Sequence, residues 1–228
     1  MAGFARVTFE RDTSRSGGVG LHVGPTALQR VRGALTFFAL ACFVALAFAP
    51  ASHAQSYVVT LDPAQTRVEF ALGTTLHTVH GTFQLISGQI HFDAGTGKVS
   101  GAVVVDARSA DTDNKSRDKK MHQEILESQK YPEIVFTPQQ VRGSFDPQKA
   151  SQLDVAGTLR IRGQDHDFTM TLAVQSAPGS QLQCDTQFAI PYIKWGMKDP
   201  STFLLHANDK VDLEIHAMAK ITPDQPAR

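Results

Sequence analysis

Apolar and polar residues alternate with a period of two through most of this chain, and that pattern restricts the fold more than any other feature. In a strand successive side chains point to opposite faces, so residues two apart share a face. Thr66 to Leu72 reads TRVEFAL, with Val68, Phe70 and Leu72 on one face and Arg67 and Glu69 on the other. Phe168, Met170, Leu172 and Val174 alternate with threonines. Leu182, Cys184, Thr186, Phe188 and Ile190 share a face, and Val211, Leu213 and Ile215 alternate with Asp212, Glu214 and His216. Val99–Val105, Glu133–Thr137 and Leu153–Ile161 read as further strands and add Val103, Phe136 and Leu159 to the apolar set. Tyr57–Leu61, Leu76–His80 and Phe83–Phe92 complete the series. The last changes phase near Ser87-Gly88, which predicts a bulge.

Turn signals separate the strands: DAGTG at 93–97, FDPQ at 145–148, RGQD at 162–165 and APGS at 177–180. Many short strands with short connections predict an antiparallel barrel or sandwich. Apolar residues on one face only predict a single core, with the other face in water.

One segment breaks the pattern. SRDKKMHQEILESQKYPEIVF, Ser116 to Phe136, opens with charge, runs at helical spacing and stops at Tyr131-Pro132. Asp113, Asn114 or Ser116 can cap such a helix. Met121 and Ile125 are four apart and share one stripe, His122 and Leu126 form a neighbouring pair, and Lys120 and Glu124 fall on the outer side. A helix this short needs a surface to dock on. We expect it to cover one open end of the barrel. Arg117 and Asp118 are candidates for a polar latch or a head-group contact at the mouth, against a plainer reading as a helix-start ion pair.

The ends carry separate information. Arg30 and Arg32 precede an uncharged apolar run, GALTFFALACFVALAFAP, and Ser52-His53-Ala54 offers small residues at a cleavage site. Residues 1–54 therefore read as a secretory signal peptide, with a membrane anchor as the competing reading. The remaining domain, 55–228, would be periplasmic or secreted. It holds 17 Lys plus Arg against 20 Asp plus Glu, which gives no basic face for nucleic acid. Cys184 is its single thiol and reads as a small buried hydrophobe.

Motifs for chemistry are missing. The seven histidines from His77 onward show no helical i, i+4 pair, and there is no nucleophile elbow, phosphate loop or dinucleotide fingerprint. The expectation is a non-enzymatic protein with no metal and no cofactor. The aromatic loop PYIKWGMKDP, 191–200, could line the second barrel end through Tyr192, Trp195 and Met197, or simply be pinned to the sheet by them.

Several of these segments together resemble the YceI family of lipocalin-like periplasmic proteins. The resemblance rests on YVVTLDPAQTRVEF at the start, TLHTVHGTF at 75–83, TDNKSRDKKM at 112–121, YPEIVF at 131–136 and VAGTLRIRG at 155–163. The chain departs from the family pattern at Gln65-Thr66, where His-Ser is usual, and at Lys120-Met121, where histidine and leucine are common. His122 is offset and inherits no role, and FAIPYIKWGMKDP differs from the usual ending. The resemblance implies an all-β, antiparallel eight-stranded barrel with one short helix over an open end. It also implies an elongated apolar ligand: a polyisoprenoid, a quinone or a similar long-chain lipid.

Alternation alone is compatible with a packed barrel and with a hollow one. If hollow, the ligand wall comprises Val68, Phe70, Leu72, Phe83, Val103, Phe136, Leu159, Phe168, Met170, Leu172, Phe188 and Leu213, with Met121 and Ile125 from the helix. Arg117, Asp118 and Lys120 would serve as lid or head-group residues. A homodimer stays open. The alternative function is an envelope stress or electron-transfer accessory module that binds a protein or haem-containing partner, favoured by an exposed Trp195.

Overall fold

The structure, a computed structural model, describes residues 55–224; the expected signal segment, 1–54, lies outside the described residues. The strands are β1 (Ser56–Leu61), β2 (Arg67–Gly73), β3 (Thr78–Asp93), β4 (Val99–Asp111), β5 (Glu133–Arg142), β6 (Ser151–Ile161), β7 (Gln164–Ala177), β8 (Gln181–Ile190) and β9 (Val211–Pro223). They form one antiparallel sheet in the order β1-β3-β2-β9-β8-β7-β6-β5-β4, and a β3–β4 pairing closes the circle. β1 and β2 share one stave. β1 lies between Gln89–Asp93 and Ala219–Pro223, while β2 lies between Thr78–Phe83 and Asp212–His216. The molecule is therefore an eight-stave antiparallel closed barrel with one short helix.

The break in that stave has a local cause. The Asp62 carboxylate accepts from the Ala64 N–H (2.9 Å) and starts a 3-10 turn over Pro63–Gln65. Proline fits an early helical position because its missing N–H has no partner to lose there.

β3 departs from expectation. It is one strand from Thr78 to Asp93, where the sequence predicted two. Leu76, expected in a strand, sits at the tip of the β2–β3 turn and is 72% exposed. The Thr74 hydroxyl donates to the His77 carbonyl (2.6 Å) and accepts from the Leu76 and His77 N–H groups, so the chain turns there. The bulge expected near Ser87-Gly88 is present as a register shift between Leu85 and Ser87. Gly81 permits a close approach inside the barrel: a Cβ there would lie 2.4 Å from the Phe70 ring.

At one end the barrel is stoppered. Phe145, in the β5–β6 connection, packs edge-on against Tyr57 (5.6 Å) and Phe92 (5.4 Å), both buried. Val141, Leu153, Leu182 and Ile221 are buried in the same cluster. The other end carries the helical segment between β4 and β5, the β2–β3 and β6–β7 turns, and the long β8–β9 loop. The β6–β7 turn has two residues, Arg162 (φ 50°) and Gly163 (φ 71°). Positive φ at both positions matches the twist of a hairpin, although for Arg162 the conformation is strained.

Candidate functional site: an apolar cavity with one mouth

The inward faces do not fill the barrel. They enclose a cavity of about 700 Å³. Phe168, Met170, Leu172, Phe188 and Leu213 point inward yet stay only partly buried, because part of each borders this space. Towards the stopper, Val155, Val174 and Leu182 are buried and also line the cavity.

All fourteen apolar residues singled out in the sequence lie on the cavity wall. Val68, Phe70 and Leu72 come from β2, Phe83 from β3, Val103 from β4, Phe136 from β5 and Leu159 from β6. β7, β8 and β9 supply the five half-buried residues named above, and Met121 and Ile125 come from the helical segment. The alternation brought them together because a barrel has a single inside. Cys184 also lines the cavity, and burial pushes its thiol up to about 12.

The polar part of the wall gathers at the mouth, where Thr74, His77, Asn114, Ser116, Arg117 and Lys120 border both the cavity and the surface. Lys120, expected on the outer side of the helix, is a correction: it lines the cavity. α1 (Lys115–Lys120) starts at Asn114, whose side chain accepts from the Arg117 N–H (3.1 Å). It then widens into a π turn over Met121–Ile125, closed by Leu126 N–H to the Met121 carbonyl (2.9 Å). Such π insertions recur at functional sites.

Arg117 and Asp118 are placed differently from a simple ion pair. The Asp118 carboxylate accepts from the Thr112 N–H (3.0 Å) and hydroxyl (2.5 Å). Arg117 donates to the Thr112 hydroxyl (2.7 Å) and carbonyl (2.7 Å). Together they fasten the helix to the end of β4. Asp118 does not reach the cavity; Arg117 does. His122 makes a second fastening. Its Nε2 faces the Ala110 carbonyl (2.9 Å), which only accepts, so Nε2 carries the proton and Nδ1 accepts from the Ser128 hydroxyl (2.9 Å).

Two features escaped the sequence. Arg162 donates to the Gly196 carbonyl (2.9 Å) and pairs with Glu127, tying the β6–β7 turn to the segment after the helix and to the β8–β9 loop. Nothing local in RGQD marks that role. The aromatic loop, read either as lining the second barrel end or as pinned to the sheet, folds over the same end as the helix, because β8 and β4 both finish there. Tyr192 and Met197 are buried and line the cavity. The Tyr192 hydroxyl donates to the Asn208 carbonyl (2.7 Å). Trp195 is half-buried, stacked on His166 at 4.2 Å and edge-on to Phe168 at 6.4 Å.

A ligand pocket typically measures about 300–1,000 Å³. Ordered water needs two or more polar partners each, and below the mouth the wall supplies almost none. The geometry suits a long apolar guest.

Comparison with known proteins agrees with this architecture. The model of the YceI-like domain matches residues 59–219. The chain belongs to the YceI family. A UPF0312 protein of Vibrio vulnificus is 25% identical over 180 residues, covering 78% of this chain and 92% of its own. Among solved structures, Burkholderia cenocepacia BcnA superposes with a TM-score of 0.60 at 19% identity, over 70% of this chain and 99% of BcnA. A polyisoprenoid binding domain from Saccharophagus degradans, implicated in plant cell wall breakdown, gives 0.56 at 16% identity, over 72% and 98%. At these identities the two structures speak for the fold. All nine strands of the closed barrel fall between Ser56 and Pro223, so the barrel is complete within those residues.

Proposed function

We propose that this YceI protein is an exported, non-enzymatic carrier that holds one long-chain isoprenoid-type lipid or quinone in its barrel. The observation that carries the reading is the apolar cavity of about 700 Å³ with a polar rim at the helix end. The fourteen wall residues would hold the tail. A chain of roughly twenty buried carbons gains about 16 kcal/mol gross at about 0.8 kcal/mol per CH₂. Association and ordering remove several kcal/mol of this or more. The Saccharophagus relative, described as a polyisoprenoid binding domain, supports the ligand class.

The mouth bears on the head group. Lys120 lines the cavity there, and Arg117 keeps one face towards it while gripping Thr112. Two cations above an apolar sleeve favour a lipid with an acidic or strongly accepting head. The competing accessory-module reading depended on a free aromatic at Trp195, and the Trp195–His166 stack gives it no support.

Native mass spectrometry of the purified barrel chain tests the carrier. A single bound prenyl lipid, or uptake of one added prenyl chain per barrel, is the expected result. Failure to take up any prenyl, quinone or acyl chain would overturn the reading.

A further inference from the structure

Two loops beside the mouth expose apolar side chains that no other part of the barrel covers. Phe203 is 96% exposed, Leu204 80% and Leu76 72%. Surface leucines scattered singly need no explanation, but a contiguous apolar group does. These residues are brought together by hydrogen bonds. The Thr75 N–H donates to the His206 carbonyl (2.9 Å), the His206 N–H to the Thr75 hydroxyl (3.3 Å), and the Asn208 N–H to the Gly73 carbonyl (2.9 Å). Thr74 and Ala207 form a bridge between them. The β2–β3 turn and the β8–β9 loop thus run side by side past the barrel end. A tight turn, in which the Thr202 N–H donates to the Leu205 carbonyl (2.8 Å), places Phe203 and Leu204 at its tip. Leu205 itself turns into the cavity. The apolar prong is therefore continuous with the doorway.

Charge near the prong favours an anionic surface. α1 carries Lys115, Arg117, Lys119 and Lys120 against Asp118, whose carboxylate is turned onto Thr112. Lys194 and Lys210 add cations from the loop. Of the nearby carboxylates Glu124 is paired with Lys198 (2.5 Å), while Asp199, which accepts from the Ser201 N–H (2.8 Å), keeps its negative charge, so the named cations exceed the unpaired carboxylates only modestly. Asp113 and Asp209 remain exposed.

The geometry points to a membrane-docking face: Leu76, Phe203 and Leu204 enter an anionic lipid surface and set the cavity mouth against it. This deepens the carrier reading and rests on it for purpose, since a tail could then pass between bilayer and barrel without crossing water. Burial of apolar tips combined with a basic surface is the combination that holds peripheral proteins on membranes.

The test is co-sedimentation of residues 55–228 with vesicles of equal parts phosphatidylglycerol and phosphatidylcholine, and with phosphatidylcholine alone. The unaltered barrel should pellet with the mixed vesicles. Phe203→Asp with Leu204→Asp should cut the bound fraction roughly tenfold or more, since either side chain contributes more than one decade of partitioning. Lys115→Gln with Lys119→Gln should erase the preference for the anionic mixture. The tip variant should keep its melting temperature and its capacity for a fluorescent prenyl probe, while transfer of that probe between vesicles slows. Equal pelleting of the unaltered and tip-variant barrels would overturn the proposal. So would an unaltered barrel that stays in the supernatant, including one whose tips instead hold two copies together. If neither protein takes up the probe while vesicle binding still separates them, the carrier reading falls and the docking face stands.

Discussion

Cys184 illustrates how a single side chain reports on the space around it. It was expected as a small buried hydrophobe; it is half-buried, because it faces a cavity rather than packed neighbours. Desolvation, aided by the charge of Asp185, raises its thiol from 9.0 to about 12. The same cause raises the Tyr192 hydroxyl from 10.0 to about 12, with Asp199 and Asp209 contributing. Both groups ionise more readily in the unfolded chain. Their contribution to stability is thus fully present below about pH 9 and is lost as pH rises towards 12. Chemical denaturation from pH 8 to 11 should show stability falling from about pH 9 upward, with a shallower fall for Cys184→Ala. An identical slope in that variant would mean that the thiol stays wet.

At the scale of an element, the helical segment is the part whose role differs from its chemistry. Its residues are mostly charged, and it is fastened by polar contacts: Asp118 and Arg117 to Thr112, His122 to Ala110, Glu127 to Arg162. Its apolar residues Met121, Ile125 and Leu126 turn inward to the cavity, beside Ser116, Arg117 and Lys120 at the mouth. β7 is different, since Met170 sits mid-strand, opposite Val155 of β6. Met170→Asp places an unpaired carboxylate inside the wall and should cost about 3 kcal/mol or more. Met121→Asp places it at the wet mouth and should cost roughly 1 kcal/mol while speeding ligand loss. Thermal melts and ligand off-rates of the two variants separate wall from lid. Equal destabilisation would make the helix a structural part of the core.

For the whole molecule, the barrel was legible because alternation is a statement about sidedness, and sidedness survives without knowledge of partners. The residues it singled out lie on the cavity wall on β2 to β9, while Val59 and Leu61 of β1 line it without having been named. It failed where geometry depends on hydrogen bonds that a period cannot register. The Thr74 hydroxyl makes a turn where Leu76 seemed to continue a strand, and the Lys120 position follows the widening of the helix into a π turn. Arg162 was invisible because its partners, Glu127 and Gly196, lie far away in sequence. Hollowness itself was undecidable from pattern, since the same inward set could have met in the middle. The aromatic loop was left between the second barrel end and a simple pinning to the sheet, because its composition says nothing about which strand ends it joins.

The Tyr57–Phe92–Phe145 stopper has a consequence for what such a sac can accept. On the proposed carrier reading, a stopper that seals this end would make a guest enter tail first from the helix end, and the depth of the sleeve would work as a ruler. Each added methylene should tighten binding about fourfold while the tail still has wall to touch. Once the tip meets Phe145, further carbons hang outside and contribute nothing. Titration with a series of isoprenols of rising length should therefore level off; affinity that keeps climbing would reveal a back exit.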